Sequence, residues 1–273
     1  MDYYNFWDKE YDIDGIYKLK GFSRGSLRTG FILMPHKIFL DAGVPSFIKP
    51  NLILITHGHQ DHIDSLYNHL IDNKKIEVIA NMNLLNFLQK YLDANKSLNC
   101  LENKKFNNWL PKPIIKQTRV TVNSIRINIE AINLDHEVDC FGYGLSEVRS
   151  KLKEEFNDKT QTELNELVKT TEITIEKLYP IVFFCGDMAH TSLDSLPFEK
   201  YNLFIIECTF LDDEHKQEAI SKQHLHIDFL IPYVEKYINV KFIFIHFSCR
   251  YNKNKIKEYS KSYENLENLT FWI

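Results

Sequence analysis

The stretch Leu52-Ile53-Leu54-Ile55-Thr56-His57-Gly58-His59-Gln60-Asp61-His62 joins an apolar run to three imidazoles and a carboxylate. The run 52–55 predicts a buried strand because it is short, apolar and rich in isoleucine. The polar residues then lie on the loop that leaves the strand end, where the sites of α/β sheets usually form. Imidazole nitrogens and carboxylate oxygens are zinc ligands, so residues 56–62 supply enough donors to begin two adjacent metal sites.

The spacing of these residues favours a metal site over ordinary packing. A single histidine usually lies on the surface, or in a core with its hydrogen bonds satisfied. Three histidines and an aspartate within six positions are typical of metal ligands instead. The chain contains no Cys-x-x-Cys pair, so the predicted site is built from His and Asp side chains.

Composition predicts a globular protein of the cytoplasm. The chain has 273 residues, of which 44% are hydrophobic, enough for a sizeable core. It has no apolar run of the length that crosses a membrane, and residues 1–8 lack the features of a signal peptide. The five cysteines are odd in number and mostly lie inside apolar runs, which indicates reduced thiols in an intracellular protein with no membrane partner.

The net charge of −4 gives the chain no general attraction for a polyanion. Binding of a nucleic acid would therefore depend on local basic groups and on the metal site. For both basic stretches the simpler interpretation is a solvated surface. The two stretches are Lys104, Lys105, Lys112, Lys116 and Arg119, and Arg149, Lys151 and Lys153.

Strand-length apolar runs alternate with helical patterns along the chain. The alternation in 125–129 predicts a half-exposed antiparallel strand that pairs with Arg119–Val122 across the turn at Asn123-Ser124. Because no Pro/Gly/Ser-rich linker divides the chain, we predict that residues 1–273 form one α/β domain with layered sheets and helices outside. The other predicted strands are 38–43, 76–80, 181–185, 203–207, 241–247 and 269–273, and the predicted helices are 62–71, 84–92 and 227–238.

The segment from about 146 to 177 differs from this rhythm. It is polar, densely charged and free of glycine. Helix-prone stretches cover 147–156 and 163–168. We therefore predict a charged surface insertion or arm.

Three further candidate ligands follow predicted strands. His136 follows 131–134, Asp187 follows Gly186 at the end of an apolar run, and His246 ends the run 242–245. The glycine allows a close backbone approach. Each residue alone has an ordinary explanation, but their shared position at strand ends predicts that they complete the metal site. Two zinc ions would carry four positive charges against two carboxylates, an excess that suits a phosphodiester.

The segments Ile205–Phe210, His224–His226 and His246–Tyr251, together with the metal loop, resemble the tRNase Z branch of the metallo-β-lactamase superfamily. The most discriminating element is His-Phe-Ser-x-Arg-Tyr at 246–251, and the resemblance runs from about residue 22 to the C-terminus. It implies a four-layer αββα sandwich, the metallo-β-lactamase fold. It also implies a homodimeric, zinc-dependent endoribonuclease that removes the 3′ trailer of precursor tRNA and leaves a 3′-hydroxyl.

The resemblance implies a role for each site residue. One zinc ion would be held by His57, His59 and His136, and the other by Asp61, His62 and His246, with Asp187 bridging the two ions of each subunit. Asp61 would also orient the nucleophile. His226, hydrogen-bonded to Glu207, would donate a proton to the leaving 3′-oxygen. Ser248 and Arg250 are candidate phosphate contacts. The sequence leaves open whether zinc, manganese or iron is bound.

Two departures and several alternatives remain. The family usually has His-Ser-Thr where this chain has His226-Ile227-Asp228, and its arm is usually long and glycine-rich. His62 disfavours a β-lactamase, and the 59 positions from Asp187 to His246 leave no room for the cap domain of other nucleases. A dinuclear-metal phosphodiesterase or thioesterase acting on another substrate stays open, as does a catalytically silent RNA-binding scaffold.

Overall fold

The computed structural model describes residues 5–71, 75–99 and 109–273. Within these ranges the strands form two mixed seven-stranded sheets, each with its strands side by side in chain order. The first sheet contains β1 (Glu10–Asp12), β2 (Lys18–Arg24), β3 (Arg28–Met34), β4 (Ile38–Leu40), β5 (Leu52–Leu54), β6 (Ile76–Ala80) and β7 (Trp109–Pro113). The second contains β8 (Gln117–Val122), β9 (Ile125–Leu134), β10 (Cys140–Leu152), β11 (Thr174–Phe184), β12 (Leu203–Glu207), β13 (Lys241–Ile245) and β14 (Leu269–Phe271).

Helices cover the outer faces of the two sheets. The described α-helices are α1 (Gln60–Ile63), α2 (Leu66–Leu70), α3 (Met82–Leu98), α4 (Gln161–Leu167), α5 (Lys216–Ser221), α6 (Ile227–Lys236) and α7 (Lys253–Ser262). One core lies between the sheets, a second packs α1 to α3 on the first sheet, and a third packs α6 and α7 on the second. This layering is the αββα sandwich, so the predicted fold class is confirmed.

Strand β12 shows why the central strands are apolar along most of their length, here up to the buried Glu207 that ends the strand. Leu203 and Ile205 belong to the core between the sheets, whereas Phe204 and Ile206 belong to the core beneath α6. Successive side chains of a strand point to opposite faces, so a strand buried on both faces needs apolar residues at every position. The predicted strands 76–80 and 203–207 match β6 and β12 at both ends.

The hairpin predicted at Asn123-Ser124 is confirmed. Val122 pairs with Ile125 across the turn, and the two turn residues have φ of +48° and +67°. Positive φ at both positions belongs to the two-residue turn whose twist matches that of the paired strands. The predicted helices differ from the observed ones at their bounds: the helix 62–71 is divided into α1 and α2, the helix 84–92 is part of the longer α3, and α6 ends before Ile238, which is 71% exposed.

The segment 146–177 is an extension of the second sheet rather than a mainly helical insertion. Strands β10 and β11 pair from Ser146↔Pro180 to Leu152↔Thr174, and α4 lies in the connection between them. The helix predicted over 147–156 is wrong, because residues up to Leu152 pair with β11. Cross-strand pairing overrides the helix propensity of this charged stretch. Helix α4 matches the helix predicted over 163–168 to within two residues at its start.

The basic stretches carry ion pairs in the described part of the chain. Arg119 pairs with Glu176 at 2.6 Å, and Arg149 pairs with Glu147 at 2.5 Å. Both arginines are about half exposed. Lys104 and Lys105, like Cys100, lie outside the described residues. In the described ranges, no helix combines the length and the hydropathy needed to cross a membrane.

Candidate metal centre

The loop 56–62 is held at the end of β5 by Asp41, the residue that follows β4. The Asp41 carboxylate accepts hydrogen bonds from the Thr56 backbone N–H at 2.8 Å and from the Thr56 hydroxyl at 2.9 Å. Close packing fixes the other end of the loop, because a Cβ on Gly43 would lie 1.7 Å from the Asp61 carbonyl oxygen. The loop geometry therefore depends on an aspartate and a glycine some fifteen residues earlier in the chain.

Four of the predicted ligands form a first cluster. The ligand atoms of His57, His59, His136 and Asp187 all lie within 4.8 Å of one another. The His57 Nε2 to Asp187 Oδ2 distance is 3.7 Å, and the His59 Nδ1 to His136 Nε2 distance is 3.5 Å. The structure brings these residues together from the ends of β5, β9 and β11.

A second cluster joins Asp61, His62 and His246, whose ligand atoms also lie within 4.8 Å of one another. The His246 Nε2 atom lies 3.2 Å from Asp61 Oδ2 and 3.4 Å from His62 Nε2. Asp187 Oδ2 lies 3.5 Å from the nitrogen of His62 and 3.4 Å from that of His246. The same oxygen therefore borders both clusters, as a bridging ligand would.

Backbone geometry brings these strand-end residues close to the loop. A Cβ on Gly186 would lie 2.4 Å from Cys140 Sγ and 2.8 Å from Thr56 Cβ, so the close approach predicted for this glycine is present. His246 has a φ of +63°, a left-handed conformation that is uncommon for a residue other than glycine. Such backbone strain is typical of functional sites.

Four histidines are oriented by hydrogen bonds at Nδ1. His57 Nδ1 bonds the Thr56 hydroxyl at 3.0 Å, and His62 Nδ1 bonds the Asp41 carboxylate at 2.7 Å. The other two bonds run from His136 Nδ1 to the Gln223 carbonyl at 3.0 Å and from His246 Nδ1 to the Thr209 hydroxyl at 2.9 Å. In a neutral ring with the proton on Nδ1, the Nε2 lone pair points to the centre and is available to a cation.

Both threonine hydroxyls fix the direction of these bonds. Thr56 donates its only proton to Asp41, and Thr209 donates to Glu207 at 2.5 Å, so each hydroxyl must accept from its histidine. Among the described residues His57 Nε2 is buried without any hydrogen-bond partner. Together with the neighbouring imidazole nitrogens and carboxylate oxygens, this atom fits the donor set of a divalent cation.

The ionisation of the ligands agrees with that fit. Burial lowers the pKa of His57 well below its usual value, which keeps the ring neutral. Burial raises the pKa of Asp187, but the imidazoles of His246 and His62 outweigh it and hold this pKa well below its usual range. His62 differs: burial lowers its pKa, yet the carboxylates of Asp187 and Asp41 raise it well above 6.5. A cation at this position would displace that proton.

The predicted hydrogen bond between His226 and Glu207 is wrong. Glu207 is fully buried and its carboxylate accepts from His224 Nδ1 at 2.8 Å. His226 instead caps helix α6: its Nδ1 accepts from the Asp228 backbone N–H at 3.2 Å, and its Nε2 donates to the Asp212 carbonyl at 3.0 Å. His224 and His226 are two positions apart, but their side chains have different neighbours because the chain turns into α6 at His226.

His224 therefore takes the position beside the clusters. Its Nδ1 lies 4.0 Å from Asp187 Oδ2, and its ring stacks on that of His246 with centroids 5.5 Å apart. Burial lowers its pKa, but the carboxylates of Glu207 and Asp187 raise it to about 9. Within the described ranges no protein group accepts a hydrogen bond from His224 Nε2, so this nitrogen is the one available to a substrate.

The two candidate phosphate contacts lie at the rim. The Arg250 guanidinium makes two hydrogen bonds of 2.9 Å to the Glu218 carboxylate and lies 5.1 Å from the Phe210 ring centroid. Ser248 Oγ accepts from Arg250 Nε at 3.2 Å. A phosphate contact by Arg250 would therefore compete with Glu218, and this role stays a prediction.

Sequence reasoning missed Asp41, Thr56, Thr209 and His224 as parts of the site. Asp41 was visible as a carboxylate at the end of an apolar strand, followed by Ala-Gly, but nothing assigned it to His62. His224 belongs to the same His-x-His pair as His226. The choice between the two depends on where α6 begins, which a pattern of residue types does not determine to the nearest residue.

Comparison with known proteins agrees with this geometry. Residues 43–247 match the family described as Beta-lactamase superfamily domain. The tRNase Z TRZ1 of Arabidopsis thaliana is 27% identical over 265 residues, which cover 92% of this chain and 91% of that protein. The ribonuclease Z of Borrelia duttonii is 29% identical over 238 residues, which cover 77% of this chain and 73% of that protein.

Two solved structures share the fold. Human tRNase Z, short form, has a TM-score of 0.58 at 14% identity, and the aligned residues cover 91% of this chain and 93% of the human chain. Yeast PDE1 has a TM-score of 0.61 at 11% identity and covers 94% of this chain and 98% of its own. At these sequence identities, the similarity shows that the three chains share the αββα architecture.

Proposed function

The chain belongs to the β-lactamase superfamily, and on that premise we propose that it is a zinc-dependent endoribonuclease that removes the 3′ trailer of precursor tRNA and leaves a 3′-hydroxyl. The observation that carries the proposal is the pair of the buried Glu207 and the partly exposed His224, in which His224 Nδ1 lies 4.0 Å from Oδ2 of the shared Asp187. Metal coordination alone does not require this pair, whereas departure of a ribose 3′-oxygen requires a proton donor. The names of the relatives from Arabidopsis and Borrelia support the choice of RNA substrate.

The proposed ligands follow the two clusters. His57, His59 and His136 would hold one ion, Asp61, His62 and His246 the other, and Asp187 would bridge them. When bound, two such ions lower the pKa of coordinated water to about 7 and offset the negative charge that the phosphate gains in the transition state. The Nδ1 bonds to Asp41, Thr56, Thr209 and the Gln223 carbonyl hold the imidazoles ready for this role.

Asp61 has a second proposed task. Its Oδ2 accepts from the Ser26 backbone N–H at 3.0 Å, which fixes the carboxylate at the rim of the site. Burial raises its pKa, but the hydrogen bond from His246 and the charge of His62 lower it to about 2, so the group is ionised at neutral pH. An ionised carboxylate in this position would accept a hydrogen bond from the attacking water and orient it.

His224 is the proposed general acid, in place of His226. Glu207 holds the ring by Nδ1 and favours its protonated form, which leaves Nε2–H free to donate to the departing 3′-oxygen. Glu207 itself is fixed by the backbone N–H groups of Met188 and Leu225 at 3.0 and 3.1 Å. The backbone therefore fixes Glu207, and Glu207 in turn fixes the general acid.

We also propose that residues 1–273 act as one domain, that two zinc ions bind per subunit, and that the enzyme works as a cytoplasmic homodimer. The extension 146–177 would then bind tRNA, with the arm of one subunit serving the site of the other. Its exposed Arg149 and Lys151 support contact with a phosphate backbone. A net charge of −4 makes such local contacts necessary.

The direct test is cleavage of a precursor tRNA that carries a 3′ trailer. The purified, zinc-loaded protein should release the trailer in one cut and leave a 3′-hydroxyl that a poly(A) polymerase can extend. Activity should vanish with chelator and return with zinc, and mature tRNA should remain intact. Cleavage of bis(p-nitrophenyl) phosphate without cleavage of any trailer would indicate a phosphodiesterase of another substrate, and no hydrolysis by the metal-loaded protein would indicate a silent scaffold.

A further inference from the structure

We propose that a cavity beside His59 binds the nucleobase of a nucleotide that flanks the scissile phosphate; this inference rests on the proposed function. The cavity has a volume of about 510 Å³ and is lined by Gly58 and His59 of the metal loop, by one face of α3 and by residues 137–139. Its volume lies within the usual range of ligand pockets, about 300–1,000 Å³. Since His59 belongs to both the cavity and the first cluster, a ligand could occupy the two together.

The wall of the cavity is more apolar than the fold requires. Leu84 and Leu88 of α3 are buried because they pack on the first sheet. Phe87 is 64% exposed and Val138 is 37% exposed, and both line the cavity without joining any of the three cores. One exposed apolar side chain is ordinary. Two of them on separate elements, beside a candidate metal ligand, form a binding surface for a flat apolar group.

The acidic residues of the cavity restrict the chemistry of the flat group that it can bind. Glu137 and Asp139 line the same cavity, and Asp139 Oδ2 accepts from Asn83 Nδ2 at 3.2 Å, which ties the loop to α3. Carboxylates repel a second phosphate but accept hydrogen bonds from the exocyclic amino groups of bases. The cavity therefore fits an aromatic ring that carries amino donors, while the adjacent clusters suit the phosphate attached to it.

A nucleobase meets these requirements because it is covalently close to the phosphate that the clusters would hold. Unpaired bases are commonly bound by stacking on phenylalanine or tyrosine, which tolerates any sequence. Phe87 is the exposed ring of this cavity, and Tyr91 lies one helical turn further along the same face. The base can come from the last nucleotide of the tRNA or from the first nucleotide of the trailer.

The first experiment uses small diesters, so that it is independent of tRNA. We would measure kcat/KM for a nucleoside p-nitrophenyl phosphodiester and for methyl p-nitrophenyl phosphate, whose non-leaving group carries neither a base nor any other ring. Phe87→Ala should lower the ratio of the two values about 5- to 150-fold, the loss expected for one base–aromatic stack. Phe87→Tyr should restore the ratio. The matched control Phe47→Ala removes a ring that is 95% exposed and does not line the cavity, and it should leave the ratio unchanged.

Equal ratios in Phe87→Ala and Phe47→Ala would overturn the proposal. Phe87 lies outside the cores, so truncation should preserve folding, which circular dichroism and metal content would verify. Precursor tRNAs with a single abasic site then identify the nucleotide: the abasic position that cancels the effect of Phe87→Ala supplies the base. One abasic substrate lacks the last base of the tRNA and the other lacks the first base of the trailer. If Phe87→Ala slows the cleavage of both as much as that of the intact precursor, the proposal is overturned. If the wild type shows the diester ratio but cuts no precursor tRNA, the proposed function fails and the base site stands.

Discussion

The two histidines of the His-x-His pair offer a matched test of the catalytic assignment. His224→Asn and His226→Asn make the same change at positions two apart. In both cases the asparagine side chain can replace the contact made by Nδ1, as a donor to Glu207 at 224 and as an N-cap acceptor at 226. In both cases the Nε2 atom is lost. The pair therefore isolates the role of Nε2 at each position.

The expected effects differ in kind. At position 224 the lost Nε2–H is the proposed proton donor, so the rate of trailer removal should fall about 10²- to 10⁴-fold. At position 226 the lost group only donates to the Asp212 carbonyl. One broken hydrogen bond with its acceptor left partly buried should lower the free energy of unfolding by about 1–3 kcal/mol, well within the usual stability of a domain. Activity should stay within about twofold of wild type, since general-acid effects of 10² or more would be absent.

The assay is single-turnover cleavage of trailer-bearing precursor tRNA, with zinc content measured on the same samples. Bis(p-nitrophenyl) phosphate supplies a second readout, because p-nitrophenolate leaves without a proton. The defect of His224→Asn should therefore be much smaller on that diester than on RNA. A severe RNA defect in His226→Asn with normal metal content and a nearly intact His224→Asn would refute the assignment.

Two further changes test the supports of the site, and a third tests the turn between β8 and β9. Asp41→Asn weakens the bond that orients His62, so zinc affinity should fall about 10- to 100-fold in a competition titration with a chelator, and unchanged affinity would contradict the role of Asp41. Gly43→Ala places a Cβ 1.7 Å from the Asp61 carbonyl oxygen and should cost about 1–3 kcal/mol or more in urea unfolding, with a loss of activity. Ser124→Gly relieves a φ of +67° and should stabilise the hairpin by up to about 1 kcal/mol without altering activity, because left-handed backbone costs a serine more than the entropy that glycine adds. A decrease in the urea midpoint of that variant would show that the turn carries no strain.

Most of the architecture was predictable because the buried strands are encoded locally. A strand covered on both faces, such as Leu203–Glu207, is apolar up to its last residue, so its extent can be predicted from the sequence. The extension 146–177 could not be read this way. Its residues are half-exposed and charged, and only the pairing of β10 with β11 distinguishes strand from helix.

The candidate ligands were predictable as a group because each follows a strand. Strand ends at one edge of a sandwich meet, so His136, Asp187 and His246 fall beside the loop 56–62. The hydrogen-bond supports were not predictable, since the partnership of Asp41 with His62 and of Thr209 with His246 depends on atomic distances. The choice of His224 over His226 likewise depends on where one helix begins.

Anomalous diffraction at the zinc edge from crystals of the zinc-loaded protein tests the central claim most directly. We predict two peaks per chain, about 3.5–4 Å apart, with Asp187 Oδ2 between them. One peak should be bound by His57, His59 and His136, and the other by Asp61, His62 and His246. A single peak, or a map in which His136, Asp187 or His246 coordinates neither ion, would contradict the account.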